Sequence, residues 1–87
     1  MKYEFTFWTR EPSNQKLMEN FRLTFPAGVT PYAPSIHEAV NYPLASGFNF
    51  RGRVLGREVT FQVNDEGEPE TIRIFFEMER TIDSEKT

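Results

Sequence analysis

Side chains able to do covalent chemistry are scarce in this 87-residue chain, which has one histidine, His37, and no cysteine. Nucleophilic catalysis needs a nucleophile, a base within reach and a group that orients the base. A thiolate is excluded, and His37 lies in Ser35-Ile36-His37-Glu38, which matches a helix-capping box in which Ser35 and Glu38 each satisfy a free backbone amide. Neighbouring helical residues point to different faces, so Glu38 is expected to cap and not to orient the imidazole. Thirteen carboxylates could supply acid and base pairs, but most fall on expected turns and on the expected solvent face. The densest group, Asp65, Glu66, Glu68 and Glu70, lacks the D-x-[DN]-x-[DN]-G spacing of a calcium loop and reads as a solvated hairpin tip. Arg51-Gly52-Arg53-Val54-Leu55-Gly56-Arg57 is rich in Gly and Arg, yet it lacks the lysine and spacing of a phosphate-cradling loop and precedes a strand. Neither an enzyme nor a cofactor or metal is implied.

Binding chemistry is better represented. Nine Phe, three Tyr and one Trp make 15% of the chain, enough to fill a small core and to leave rings for an interface. Trp8 and Phe75 fall on the nominally polar faces of their strands. If the first strand pairs beside the last, the two rings share one surface, and exposed aromatics flanked by arginine are the usual make-up of a binding hot spot. Arg51, Arg53 and Arg73 are the neighbouring cations, and Tyr32 sits at the centre of the stiffened loop Thr30-Pro31-Tyr32-Ala33-Pro34, whose prolines lower the cost of ordering on docking. A third route to a partner is strand addition along Ile72-Arg73-Ile74-Phe75-Phe76, provided this segment lies on an open edge.

Nucleic acid is the alternative partner, through Arg51, Arg53, Arg57 and Arg73. Gly47-Phe48-Asn49-Phe50 resembles the G-F-x-F centre of the RNA-recognition-motif signature. Ser46, Asn49 and Arg51 break the pattern around it, and alternation turns Phe48 and Phe50 inward, away from any base. The net charge of −3 opposes broad capture of polyanions. That average covers a gradient. Residues 21–57 carry Arg22, Arg51, Arg53 and Arg57 against Glu38, for +3, whereas residues 58–87 carry nine acids against Arg73, Arg80 and Lys86, for −6.

The elements that must position these groups follow from periodicity. Tyr3, Phe5 and Phe7 alternate with Glu4, Thr6 and Trp8, which predicts a strand over Lys2–Thr9. A short strand over Asn20–Phe25 ends at Pro26. Residues 26–34 hold three prolines and Gly28 and must be a loop. The capping box opens a short helix that runs to Asn41 or Tyr42, ahead of Pro43. Three runs of alternation, Phe48–Val54, Glu58–Val63 and Ile72–Met78, predict a meander with turns at Leu55-Gly56 and Glu66–Pro69. In that register Phe50 faces Phe61, Arg53 faces Glu58, Phe61 faces Ile74 and Thr60 faces Phe75.

The expected fold is therefore α+β: an antiparallel sheet of about five strands, including a C-terminal three-stranded meander, with one short helix inserted between the second and third strands. Residues 1–82 form a single domain and residues 83–87 a frayed tail. No uncharged stretch is long enough to span a membrane, no signal peptide opens the chain, and the lack of cysteine fits a reducing compartment, so a cytoplasmic location is expected. The expected role is that of a non-catalytic protein-binding module, a small inhibitor or adaptor. It would be a monomer or an edge-paired homodimer with another protein as partner, and it would act through Trp8, Phe75, Arg51, Arg53, Arg73 and Tyr32.

Overall fold

The computed structural model describes residues 1–47 and 49–80, and among them every regular element is a strand. These are β1 (Lys2–Arg10), β2 (Leu17–Phe25), β3 (Ala39–Pro43), β4 (Asn49–Val63) and β5 (Pro69–Arg80), in one sheet of order β2-β1-β5-β4-β3. The β1–β2, β3–β4 and β4–β5 pairs are antiparallel, whereas the central pair β1–β5 is parallel, so the sheet is mixed and not the antiparallel one expected. The parallel pair requires a long crossover. The chain supplies it by going out to β2 at one edge, crossing through residues 26–38 to β3 at the other edge, and returning through β4 to β5.

The sheet is strongly curled. Laid flat, β2 and β3 would be four inter-strand spacings apart, about 19 Å. The rings of Phe21 on β2 and Tyr42 on β3 are instead 5.6 Å apart, and Phe21 stacks on Phe50 at 5.3 Å. One face thus folds onto itself and forms the core without a second layer. Phe5, Phe7, Val54, Ile72, Ile74, Phe76 and Met78 are buried there, with Phe7 stacked on Phe76 at 4.9 Å and 10°. The crossover packs on the same face. Pro34 is fully buried, Ala33 lies against the core, and Arg57 Nη1 donates to the Pro34 carbonyl at 2.8 Å.

The expected α+β architecture is overturned by the segment assigned to a helix. Ser35-Ile36-His37-Glu38 makes one of the two capping-box contacts, Ser35 N–H donating to Glu38 Oε1 at 2.8 Å. A tight turn can use that contact as readily as a helix. Glu38 N–H donates to the Ser35 carbonyl at 3.0 Å, and His37 takes φ +75°, a left-handed value that ends any helical run. The next residues form β3, in which Val40 and Tyr42 face the core. Alternation of Val40 and Tyr42 with Ala39 and Asn41 was the signal for this strand, and the capping motif masked it.

The expected meander is corrected as well. Leu55-Gly56 is not a turn: residues 49–63 form one 15-residue strand, with a register shift between Val54 and Gly56. The extra residue of this bulge, Leu55, lets the strand bend with the curl. The pairings of Phe50 with Phe61 and of Arg53 with Glu58 therefore do not form. Phe61 pairs with Ile72 and Glu58 with Phe75, two residues from the expected register, so the faces are kept while the partners change. The hairpin turns one step earlier, at Asn64–Glu68, where Gly67 has φ +81° and Asn64 Oδ1 accepts from the amides of Glu66 and Glu68. The third antiparallel strand of the C-terminal half is β3. Gly52, on β4, lies so close to β5 that a Cβ there would stand 2.5 Å from the Glu79 carbonyl oxygen. The expected inward placement of Phe48 and the tail at 83–87 lie outside the described residues.

Candidate functional site

The sheet face opposite the core carries the two rings that broke the alternation. Parallel pairing sets Thr6 beside Phe75 and Trp8 beside Glu77, so Trp8 lies one step diagonally from Phe75 on the same face. The indole N–H donates to Thr6 Oγ1 at 2.9 Å. Thr6 is Phe75's lateral neighbour, and the bond turns the indole back over the phenyl ring. The two rings stack with centroids 5.0 Å apart and an interplanar angle of 25°. Both are half-buried. The proline crossover packs on the other face of the sheet and does not cover them.

Ion pairs surround the stack. Arg73 Nε lies 3.0 Å from Glu4 Oε1, Arg22 Nη1 lies 3.3 Å from Glu4 Oε2, and Arg10 Nε lies 2.8 Å from Glu77 Oε2. Arg22 also grips Glu19 through Nε and Nη2, at 2.7 and 2.9 Å. Hydrogen bonding from Arg22 holds the Glu19 carboxyl below its ordinary pKa, and Glu19 in turn raises the Arg22 guanidinium. Three arginines around the rings thus face three carboxylates, which leaves an aromatic platform with a polar, locally neutral rim.

Trp8, Phe75 and Arg73 are brought together. Arg51 and Arg53 lie on the same face but toward β3, paired with Asn41 and Ala39, and Arg53 Nη1 donates to the His37 carbonyl at 2.8 Å. Arg57 points to the core side, where it holds the crossover. Tyr32 stands apart on that crossover, 70% exposed. Its hydroxyl donates to both Glu38 carboxylate oxygens, at 2.8 and 2.9 Å. Glu38 is held below its ordinary pKa by the Ser35 amide and then by Tyr32, and the bond to Glu38 raises the Tyr32 phenol. The strand-addition edge expected at Ile72–Phe76 does not exist, because β5 is interior, between β1 and β4.

One surface escaped the sequence reading. Val59, Phe61 and Val63 were assigned to the core by alternation, yet they are 43%, 59% and 52% exposed. They do lie on the core-facing side, opposite Ile74, Ile72 and Pro69. However, β3 covers only residues 49–53 of β4, so this end of the strand has no neighbour among the described residues. Alternation reports which face a side chain takes, not whether anything packs against it.

Among the described residues no group of three or more His, Asp or Glu is placed to hold a metal ion, and no helix is long and apolar enough to cross a membrane. No family model, curated protein or solved structure matches the chain.

Proposed function

We propose that this chain is a non-catalytic protein-binding module whose contact surface is the Trp8–Phe75 stack and its rim of Arg73, Arg10 and Arg22. The observation that carries the reading is the pairing of two large rings, 5.0 Å apart, on the face turned away from the core. A monomer gains little from keeping apolar surface there, whereas a partner could bury it. Stacked aromatics with adjacent arginines are the composition of energetic hot spots, and a rim of matched charges suits a polar protein surface better than a polyanion. A nucleic-acid ligand would have to draw Arg73, Arg22 and Arg10 away from carboxylates at 2.7–3.3 Å. Arg53, hydrogen-bonded to the His37 carbonyl, lies apart from these three. Protein is accordingly the favoured partner class, and a role as a small inhibitor or adaptor fits a domain with no assembled catalytic groups among its described residues.

The test compares capture of partners from native lysate by the wild type and by Trp8→Ala and Phe75→Ala variants of verified fold, at low and high salt. The expected result is a partner held by the wild type at both salt concentrations and released by either substitution. Capture that survives both substitutions, or that vanishes with salt and with nuclease treatment, refutes the reading in favour of another surface or of nucleic acid.

A further inference from the structure

A second surface, separate from the aromatic stack, is written into the free end of β4. Its core-side residues read Arg57, Val59, Phe61 and Val63 at every second position, and Asp65 follows just beyond the strand, in the hairpin turn. This series is symmetric about Phe61 in shape and antisymmetric in charge. Antiparallel pairing of the segment with an identical copy about Phe61 would set Phe61 against Phe61 and Val59 against Val63 on both sides, and would bring Arg57 alongside Asp65 of the other copy's turn, beyond each end of the ladder. On the other face Thr60 would meet Gln62 and Glu58 would meet Asn64, so no like charges are opposed. The neighbouring registers lose this match. Centred on Thr60, Arg57 faces Val63, and centred on Val59, Arg57 faces Phe61.

The geometry points to this edge as a self-association site, at which a second copy of the chain adds its β4 antiparallel across residues 59–63. Three observations support it. The outer edge of β4 beyond Arg53 has no pairing strand among the described residues, apart from the bonds that Val54 exchanges with His37 and Glu38, and an open strand edge offers unpaired amides and carbonyls as a template. Val59, Phe61 and Val63 present a run of apolar side chains 43–59% exposed beside that edge. Finally, one cation of the chain's basic middle, Arg57, comes beside the acidic hairpin tip of the other copy. A two-fold axis at Phe61 sets the acidic tip, Asp65, Glu66 and Glu68, of each copy along the Arg57 end of the other. Such an interface is isologous and closes at two copies. Its apolar side-chain area, on the order of 250 Å² per copy, is well below the roughly 800 Å² per partner of a stable interface, so the association is expected to be weak, on the order of hundreds of micromolar, and reversible.

Sedimentation equilibrium of the full chain from low micromolar to near-millimolar concentration tests it. A monomer–dimer equilibrium is expected for the wild type, with no larger species. Phe61→Glu should be monomeric throughout while keeping its far-UV spectrum, because the ring is mostly exposed. Asp65→Arg should weaken dimerisation about tenfold by opposing Arg57 with a like charge. The inference is overturned by a wild type that stays monomeric at the highest concentration, or by Phe61→Glu that dimerises like the wild type. An Asp65→Arg dimer as tight as the native one also overturns it.

Discussion

Truncating Trp8 separates an interface ring from a core ring, and the structure sets the scale of both. Full burial of a large apolar side chain is worth about 1.5–3 kcal/mol, and a stacked aromatic pair adds about 0.5–1.5 kcal/mol. Trp8 is half-buried and stacks on one ring, Phe75. Trp8→Ala should therefore cost about 1–3 kcal/mol, Phe75→Ala a similar amount, and the double variant less than their sum by about 0.5–1.5 kcal/mol. Phe76 is the contrast. It is fully buried between Phe5 and Phe7, at 5.2 and 4.9 Å, and Phe76→Ala should cost about 3–5 kcal/mol. A domain of this length has a total stability of about 4–13 kcal/mol, so Trp8→Ala should remain folded at room temperature whereas Phe76→Ala approaches or crosses the threshold. Urea unfolding followed by far-UV circular dichroism reads all four variants without relying on the single tryptophan. Acrylamide quenching of the wild-type indole gives an independent check. A loss for Trp8→Ala as large as that for Phe76→Ala, or an indole inaccessible to quencher in the isolated protein, would make this ring part of the core and remove the basis of the proposed interface.

Gly52→Ala places a methyl group 2.5 Å from the Glu79 carbonyl oxygen, so β4 and β5 must part locally; thermal melts should show a loss of about 2 kcal/mol or more, whereas Gly56→Ala, with open space around it, should lose far less. Glu4 is shared by Arg73 and Arg22. Because both arginines are more than half exposed, Glu4→Gln should cost under about 1 kcal/mol in urea unfolding, while the variant's affinity for a single-stranded oligonucleotide at low salt should rise modestly above that of the wild type as Arg73 is released and Arg22 stays on Glu19. The Ser35 amide and then the Tyr32 hydroxyl hold Glu38 below its ordinary pKa. The support that Glu38 lends to its turn is therefore complete above the unfolded-state pKa and is lost as pH falls through the lower folded value. Carboxyl-carbon NMR titration should show the Glu38 pKa moving up in Tyr32→Phe, and an unchanged pKa would refute the contact.

Much of this molecule was present in local pattern. Alternation through Tyr3, Phe5 and Phe7 and through Ile72, Ile74, Phe76 and Met78 determined two strands and their buried faces, because a period of two leaves no choice of side once one face is apolar. The same pattern marked Trp8 and Phe75 as out of place, and the condition for their meeting, first strand beside last, is the one the sheet satisfies. What local pattern could not decide was partnership. The capping box at Ser35–Glu38 satisfies an amide equally well in a turn, and only the Val54 backbone, exchanging hydrogen bonds with His37 and Glu38, selects the turn and leads Ala39–Pro43 into the sheet. Leu55-Gly56 could be a hairpin or a bulge, and the choice depends on which strand β5 presents to β4 over eleven paired positions. Likewise, Val59, Phe61 and Val63 have the face expected of core residues but no neighbour over them. Which face a residue takes is a property of its own strand; which strand lies beside it, and whether anything covers it, is decided by chain segments far away in sequence.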